Sequence, residues 1–138
     1  MTEQHKAVIE QFLDAWNRRY PEEFDRFVKQ NVVRHCSATP AVVIGNLDQL
    51  KEFMRQDSAV FPDSVQAVTY AAAEGDLVGA WCTYEGTQQG PIGPLPASGR
   101  KVKFDWAAMF RMEDGKIAEW WVTWDNIAIL RALGHLND

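Results

Sequence analysis

Cysteine is scarce in this sequence: Cys36 and Cys82 are the only two, far apart and outside any metal-type spacing. A dense disulfide framework is thereby excluded. A single bridge remains compatible with the sequence, but two free thiols in a reducing cytoplasm is the preferred reading. Basic charge is also thin, with 14 Lys and Arg against 19 Asp and Glu and a net charge of −5. Nucleic-acid surfaces rely on clustered cations, and no basic stripe occurs here. No apolar run approaches the roughly 20 residues needed to cross a bilayer. The opening Met-Thr-Glu-Gln-His-Lys lacks the basic region and apolar core of a secretory signal. A cytoplasmic protein with neither membrane nor nucleic acid as partner is therefore expected.

Several chemistries are missing too. There is no Gly-rich phosphate loop, no serine nucleophile elbow and no paired Cys or His ligand set. The acidic residues show no metal-loop spacing. Without repeats, low-complexity stretches or a linker, residues 1–138 read as one domain, long enough to bury a real core.

Aromatic residues, by contrast, are plentiful: six Trp and seven Phe. Their large buried area suits a cavity or an extensive subunit interface. They concentrate in the last third, where two strand-like runs flank Asp114-Gly115, a strong hairpin signal. A two-residue loop there sets Phe104 opposite Asp125, Trp106 opposite Thr123 and Ala108 opposite Trp121. One face then gathers Phe104, Trp106, Ala108, Phe110 and Met112 with Ile117, Glu119, Trp121, Thr123 and Asp125. Trp120 and Trp124 fall on the opposite face, and Trp81 is assigned to the outside of its own strand, where the three suit a dimer interface.

Earlier in the chain, apolar residues at helical spacing predict a helix over about 2–19, halted by Pro21, and a short second helix over 22–29. Residues 31–36 read as extended. A third helix, capped by Asn46 or Asp48, is expected to reach about Arg55. Strands follow over 65–73 and 77–87, joined by the Glu-Gly-Asp turn, and then a Pro/Gly-rich connection over 90–99. After the hairpin, residues 127–133 make a terminal helical turn. Helices first and meandering antiparallel strands after is an α+β pattern. The expected arrangement is a strongly curved sheet of antiparallel strands wrapped around the N-terminal helices, with a pocket on its concave side.

The order of several short motifs resembles one family across nearly the whole chain. They are Phe12-Leu13-Asp14-Ala15-Trp16-Asn17, Val33-Arg34-His35, Phe61-Pro62-Asp63, Gly86-Thr87, Ser98-Gly99-Arg100 and Glu113-Asp114-Gly115-Lys116-Ile117 with Glu119 and Trp121. Asp125 before Leu130 and Leu133-Gly134 completes the set. Together they resemble the SnoaL-like polyketide (ester) cyclases of the nuclear-transport-factor-2-like superfamily. The resemblance implies a conical α+β barrel, often dimeric, that closes a ring by intramolecular aldol condensation without metal or cofactor. It also implies an acid/base role for Asp125. The chain departs from the family pattern at Gln88 and Trp120, where histidine is common, and at Ala108, where an inward polar residue is common.

These residues define the expected site. Asp125 is the catalytic acid/base candidate, desolvated among Trp106 and Trp121; capping of the helix that starts near Asn126 is its bland alternative. His35, which aligns with a family histidine, is the assisting polar group or else a backbone-satisfied core histidine. Trp16, Tyr84, Gln88, Trp106 and Trp121 are the expected substrate contacts, around a small hydrophobic or aromatic carbonyl compound. The leading function is a cyclase-type enzyme that moves a proton at a carbon acid and closes a polyketide-like ring. An isomerase, dehydratase or epoxide hydrolase on the same fold, a non-catalytic binder of hydrophobic ligands, and a structural dimer with a filled pocket are the alternatives.

Overall fold

The structure, a computed structural model, describes residues 2–136. Helix α1 (Thr2–Asn17) turns Ile9, Phe12, Leu13 and Trp16 to one side, and all four are buried. A single 3₁₀ segment, Pro21–Arg26, stands where a second α-helix over 22–29 is expected, because strand β1 (Val28–Cys36) already begins at Val28. Helix α2 (Leu47–Val60) is capped by Asn46, whose side chain accepts from the Gln49 backbone N–H at 2.8 Å. It runs to Val60 rather than Arg55 and stops just before Pro62, which cannot continue it. The longer helix brings Asp57 into its last turn.

Strands β2 (Val65–Glu74), β3 (Leu77–Thr87), β4 (Lys101–Glu113) and β5 (Lys116–Trp124) form an antiparallel meander, and β1 joins its far edge parallel to β5. The strand order is β1-β5-β4-β3-β2, an α+β architecture in which a curved, unclosed, five-stranded sheet holds α1 and α2 in its concavity. Helix α3 (Asn126–Ala132) closes one end. The expected curved sheet is thus present, with β1 entering parallel at one edge of the antiparallel meander. Among the described residues no helix is long and apolar enough to cross a membrane.

The β4–β5 hairpin turns at Asp114-Gly115, both with positive φ, as the tight turn of a twisted hairpin requires. Near the turn the pairing follows expectation, with Met112 opposite Ile117 and Glu113 opposite Lys116. One residue further it breaks: Arg111 pairs with Glu119, leaving Ala118 as an extra residue. Ile117 and Ala118 are consequently both buried. Because side chains alternate with period two, this bulge exchanges the faces of every later residue on β5. Trp120 and Val122 turn into the core and Trp124 into the concavity, while Glu119 and Trp121 turn outward.

Aromatic rings then join helix to sheet. The Phe12 ring lies 4.9 Å from Phe24, 5.7 Å from Trp120 and 5.9 Å from Trp16, in edge-on geometries. The Pro/Gly-rich connection docks on the end of α2, where Gln89 and Gly90 both donate backbone N–H bonds to the Val60 carbonyl. A side chain at Gly90 would place its Cβ 2.6 Å from the Ala59 carbonyl oxygen, closer than any real contact. Gly90→Ala is therefore expected to lower stability by about 1–3 kcal/mol, the cost of forcing overpacked backbone apart. Urea unfolding followed by tryptophan fluorescence checks this; an unchanged midpoint would mean that the connection is not docked.

Candidate functional site

The concavity is not filled by its own side chains. A cavity of about 650 Å³ opens between α1, α2, the inner sheet face and α3, with Trp16, Phe53, Tyr84, Trp106, Trp120 and Trp124 among its walls. Its lining includes one carboxylate among the described residues, Asp57. The last turn of α2 aims that group at α1 and β3. Trp16 Nε1 donates to Asp57 Oδ2 at 3.1 Å, and the Tyr84 hydroxyl donates to Oδ1 and Oδ2 at 2.9 and 3.0 Å.

Burial pushes the Asp57 carboxyl above the ordinary carboxylate range, and the donors Trp16 and Tyr84 and the charges of Arg19 and Arg34 only partly oppose it. Tyr84 is driven upward as well, first by burial and then by the Asp57 charge, so its phenol stays protonated as a donor. Its ring stacks on Phe104 at 5.0 Å, which fixes the direction of that hydroxyl. A carboxylate has about four lone-pair sites on two oxygens, so these bonds leave acceptor capacity for a substrate proton.

Arg34 also lines the cavity. It occupies an inner position of β1 between Val32 and Cys36 and is only 8% exposed. Its guanidinium carbon sits 4.5 Å from the Phe53 ring centre and 5.8 Å from that of Trp124. Two further polar atoms, Trp106 Nε1 and Thr39 Oγ1, belong to residues lining the same cavity and have no hydrogen-bond partner within the structure.

Of the residues singled out from the sequence, Trp16, Tyr84 and Trp106 line this cavity. The others stand elsewhere. Asp125 is exposed and caps α3, its Oδ1 accepting from the Ala128 N–H at 3.0 Å; it does not line the cavity. The physical reason is the Ala118 bulge, which moves Asp125 off the inner face of the hairpin. His35 lies one position from Arg34 on the outer face of β1, where its ring stacks on Trp121 at 5.3 Å and its Nε2 meets Glu119 Oε2 at 2.7 Å. The His35 hydrogen bond, followed by that of Arg111, holds the Glu119 carboxyl below the usual range. Trp121 is 43% exposed on that same outer face, not a cavity wall.

Gln88 is fully buried but faces away from the cavity. Its Nε2 donates to the Gly90 and Pro96 carbonyls, and its Oε1 meets the Ser98 N–H and His135 Nε2, pinning the Pro/Gly-rich connection. The outward placement of Trp120 and Trp124 is likewise corrected: both line the cavity, and Trp121 takes the outer position beside the half-exposed Trp81. Cys36 and Cys82 are free and buried, and burial pushes the Cys82 thiol up to about 12.

Asp57 and Arg34 were both within reach of sequence reasoning. Asp57 follows Leu50, Phe53 and Met54 at helical spacing, so it is a lone acid on an apolar stripe once the helix is carried past Arg55. Arg34 shares the alternation of Val32 and Cys36. Because Asp125 caps α3, Asp125→Ala is expected to cost about 0.5–2 kcal/mol of stability and to leave ligand binding to the cavity unaltered. Thermal unfolding together with quenching of the cavity tryptophans by a bound aromatic compound checks both halves.

The comparisons with known proteins converge on one family. The model of the SnoaL-like polyketide cyclases matches residues 6–133, nearly the whole chain. TsrD from Streptomyces laurentii is 28% identical, with a TM-score of 0.85 and 97% of each chain covered. IdmH from Streptomyces antibioticus is 26% identical, with a TM-score of 0.82 over 95% of this chain and 99% of its own. A SnoaL-like polyketide cyclase from Agrobacterium tumefaciens, 24% identical, shares the fold at a TM-score of 0.78 over 94% of this chain and 98% of that one. No curated protein matches the chain. With its helix-filled curved sheet and the aromatic cavity inside it, this chain belongs to the SnoaL-like polyketide cyclase family.

Proposed function

We propose that this protein is a cofactor-independent cyclase-type enzyme that acts on a polyketide-like carbonyl compound, with Asp57 as its acid/base. The observation that carries this reading is a single carboxylate with a raised pKa in the wall of an otherwise largely apolar cavity. A carboxyl group shifted in this direction moves toward the acidity that proton transfer near neutral pH demands. Ionised Asp57 takes the proton from a methylene between two carbonyl groups. The resulting enolate carbon attacks a second carbonyl of the same molecule, forming the ring bond. The new alkoxide then receives a proton from the protonated Asp57, so no atom or electron is gained or lost overall. Aromatic walls hold the folded substrate in the reactive geometry. The Tyr84 and Trp16 donors keep the carboxyl oriented between cycles.

Two further parts of the reading concern the protein's surroundings. The outer sheet face exposes Tyr70, Trp81, Met109 and Trp121, an apolar surface suited to a second copy of the chain. The two buried free thiols accord with a reducing, cytoplasmic setting.

Proton transfer is tested directly by following deuterium uptake at the central methylene of an aryl diketone by NMR. Asp57→Asn is expected to slow the enzymatic part of this exchange by about 10²–10⁴-fold. In the unaltered protein the rate rises with pH through the Asp57 pKa, because the ionised form is the base. Since burial raises that pKa, the rising limb lies above the ordinary carboxylate range. Asp57→Asn lacks the limb. Undiminished exchange in a folded Asp57→Asn protein contradicts the acid/base role and leaves a binding protein.

A further inference from the structure

We propose that Arg34 is an anion-recognition residue and that the compound this cavity takes carries a carboxylate, which pairs with the free edge of the guanidinium. This inference rests on the cavity being the substrate site, and it adds to that reading a chemical class and a specificity-determining residue.

Arg34 is more than nine-tenths buried, yet its Nη1 has no hydrogen-bond partner. Charged residues are rarely buried unless they are paired and hydrogen-bonded. Two side chains act on Arg34 from within the chain, Cys36 by charge and a hydrogen bond and Asp57 by charge alone, and the hydrogen bonds to the Asp57 oxygens come from Trp16 and Tyr84. The guanidinium instead lies against the Phe53 and Trp124 rings, which attract its charge. Contacts of that kind still leave the N–H edge able to meet two carboxylate oxygens in parallel. Trp106 Nε1 and Thr39 Oγ1 are two more unpartnered polar atoms, both on residues that line the cavity. The surrounding rings supply flat apolar surface for the rest of the ligand.

Binding of a naphthoate anion and of the methyl ester of the same acid, followed by tryptophan fluorescence at neutral pH, separates charge recognition from ring recognition. The two probes share the ring system and differ in the charge. The unaltered protein is expected to bind the carboxylate about ten- to a hundredfold more tightly than the ester, as a charge-assisted hydrogen bond allows. Arg34→Met abolishes the preference while still binding the ester. Arg34→Lys, which keeps the charge but loses the planar fork, retains a smaller preference. Asp57→Asn, which removes a negative charge that acts on Arg34, does not weaken the preference. A lost preference in Asp57→Asn, equal binding of the two probes by the unaltered protein, or binding of neither overturns the proposal. So does a preference that survives in Arg34→Met. Should Arg34→Met fail to fold, as judged by circular dichroism, the unaltered protein and Arg34→Lys decide the matter. The deuterium-exchange experiment reads Asp57 alone, so a failure of the acid/base reading and a failure of anion recognition give different results.

Discussion

One carboxylate ties three elements of this fold together. Asp57, in the last turn of α2, receives the Trp16 indole from α1 and the Tyr84 hydroxyl from β3. A charge brought into an apolar cavity loses most of its hydration, and these donors replace part of what is lost. They do not replace all of it, and the carboxyl accordingly stays above its ordinary range. The incomplete compensation is the basis of the proposed acid/base role, since carboxyl groups perturbed in this direction are suited to proton transfer.

The cavity itself depends on a packing decision made elsewhere. Ala118 is an extra residue in β5, and its presence determines that Trp120, Val122 and Trp124 face inward. Had the hairpin continued without the bulge, Glu119, Trp121 and Thr123 would line the wall instead. That alternative would bury a second carboxylate and leave Trp120 and Trp124 in solvent. Phe12 contacts the Trp120 ring at 5.7 Å and Phe110 contacts it at 5.5 Å, so the bulged register is also the one that closes the core. Fold and site are thus set by the same local irregularity.

Much of the architecture was legible in the sequence. Helices ahead of meandering strands, the Asp114-Gly115 turn and the Asn46 cap all follow from local chemistry that the structure retains. The aromatic cavity was legible as well, through Trp16, Tyr84 and Trp106. What failed was parity. A bulge leaves no composition signal, and a shift of one residue moved the inward position from Trp121 to Trp120 and took Asp125 off the inner face of the hairpin. The same one-residue question separated Arg34 from His35 on β1. Ending α2 at Arg55 hid Asp57, because its polar neighbours Arg55, Gln56 and Ser58 dilute the apolar stripe it belongs to. The parallel entry of β1 is a long-range pairing that no local pattern encodes.

The proposed acid/base chemistry depends on the ionisation of a single side chain, Asp57. Carboxyl carbon resonances of the aspartates, followed by NMR through a pH titration, measure it without any assumption about substrate. The predicted result is one resonance that titrates above the others and is missing from the Asp57→Asn spectrum. If the Asp57 resonance instead titrates with, or below, those of the exposed aspartates, the group is ordinary and the cavity has no acid/base of the kind described.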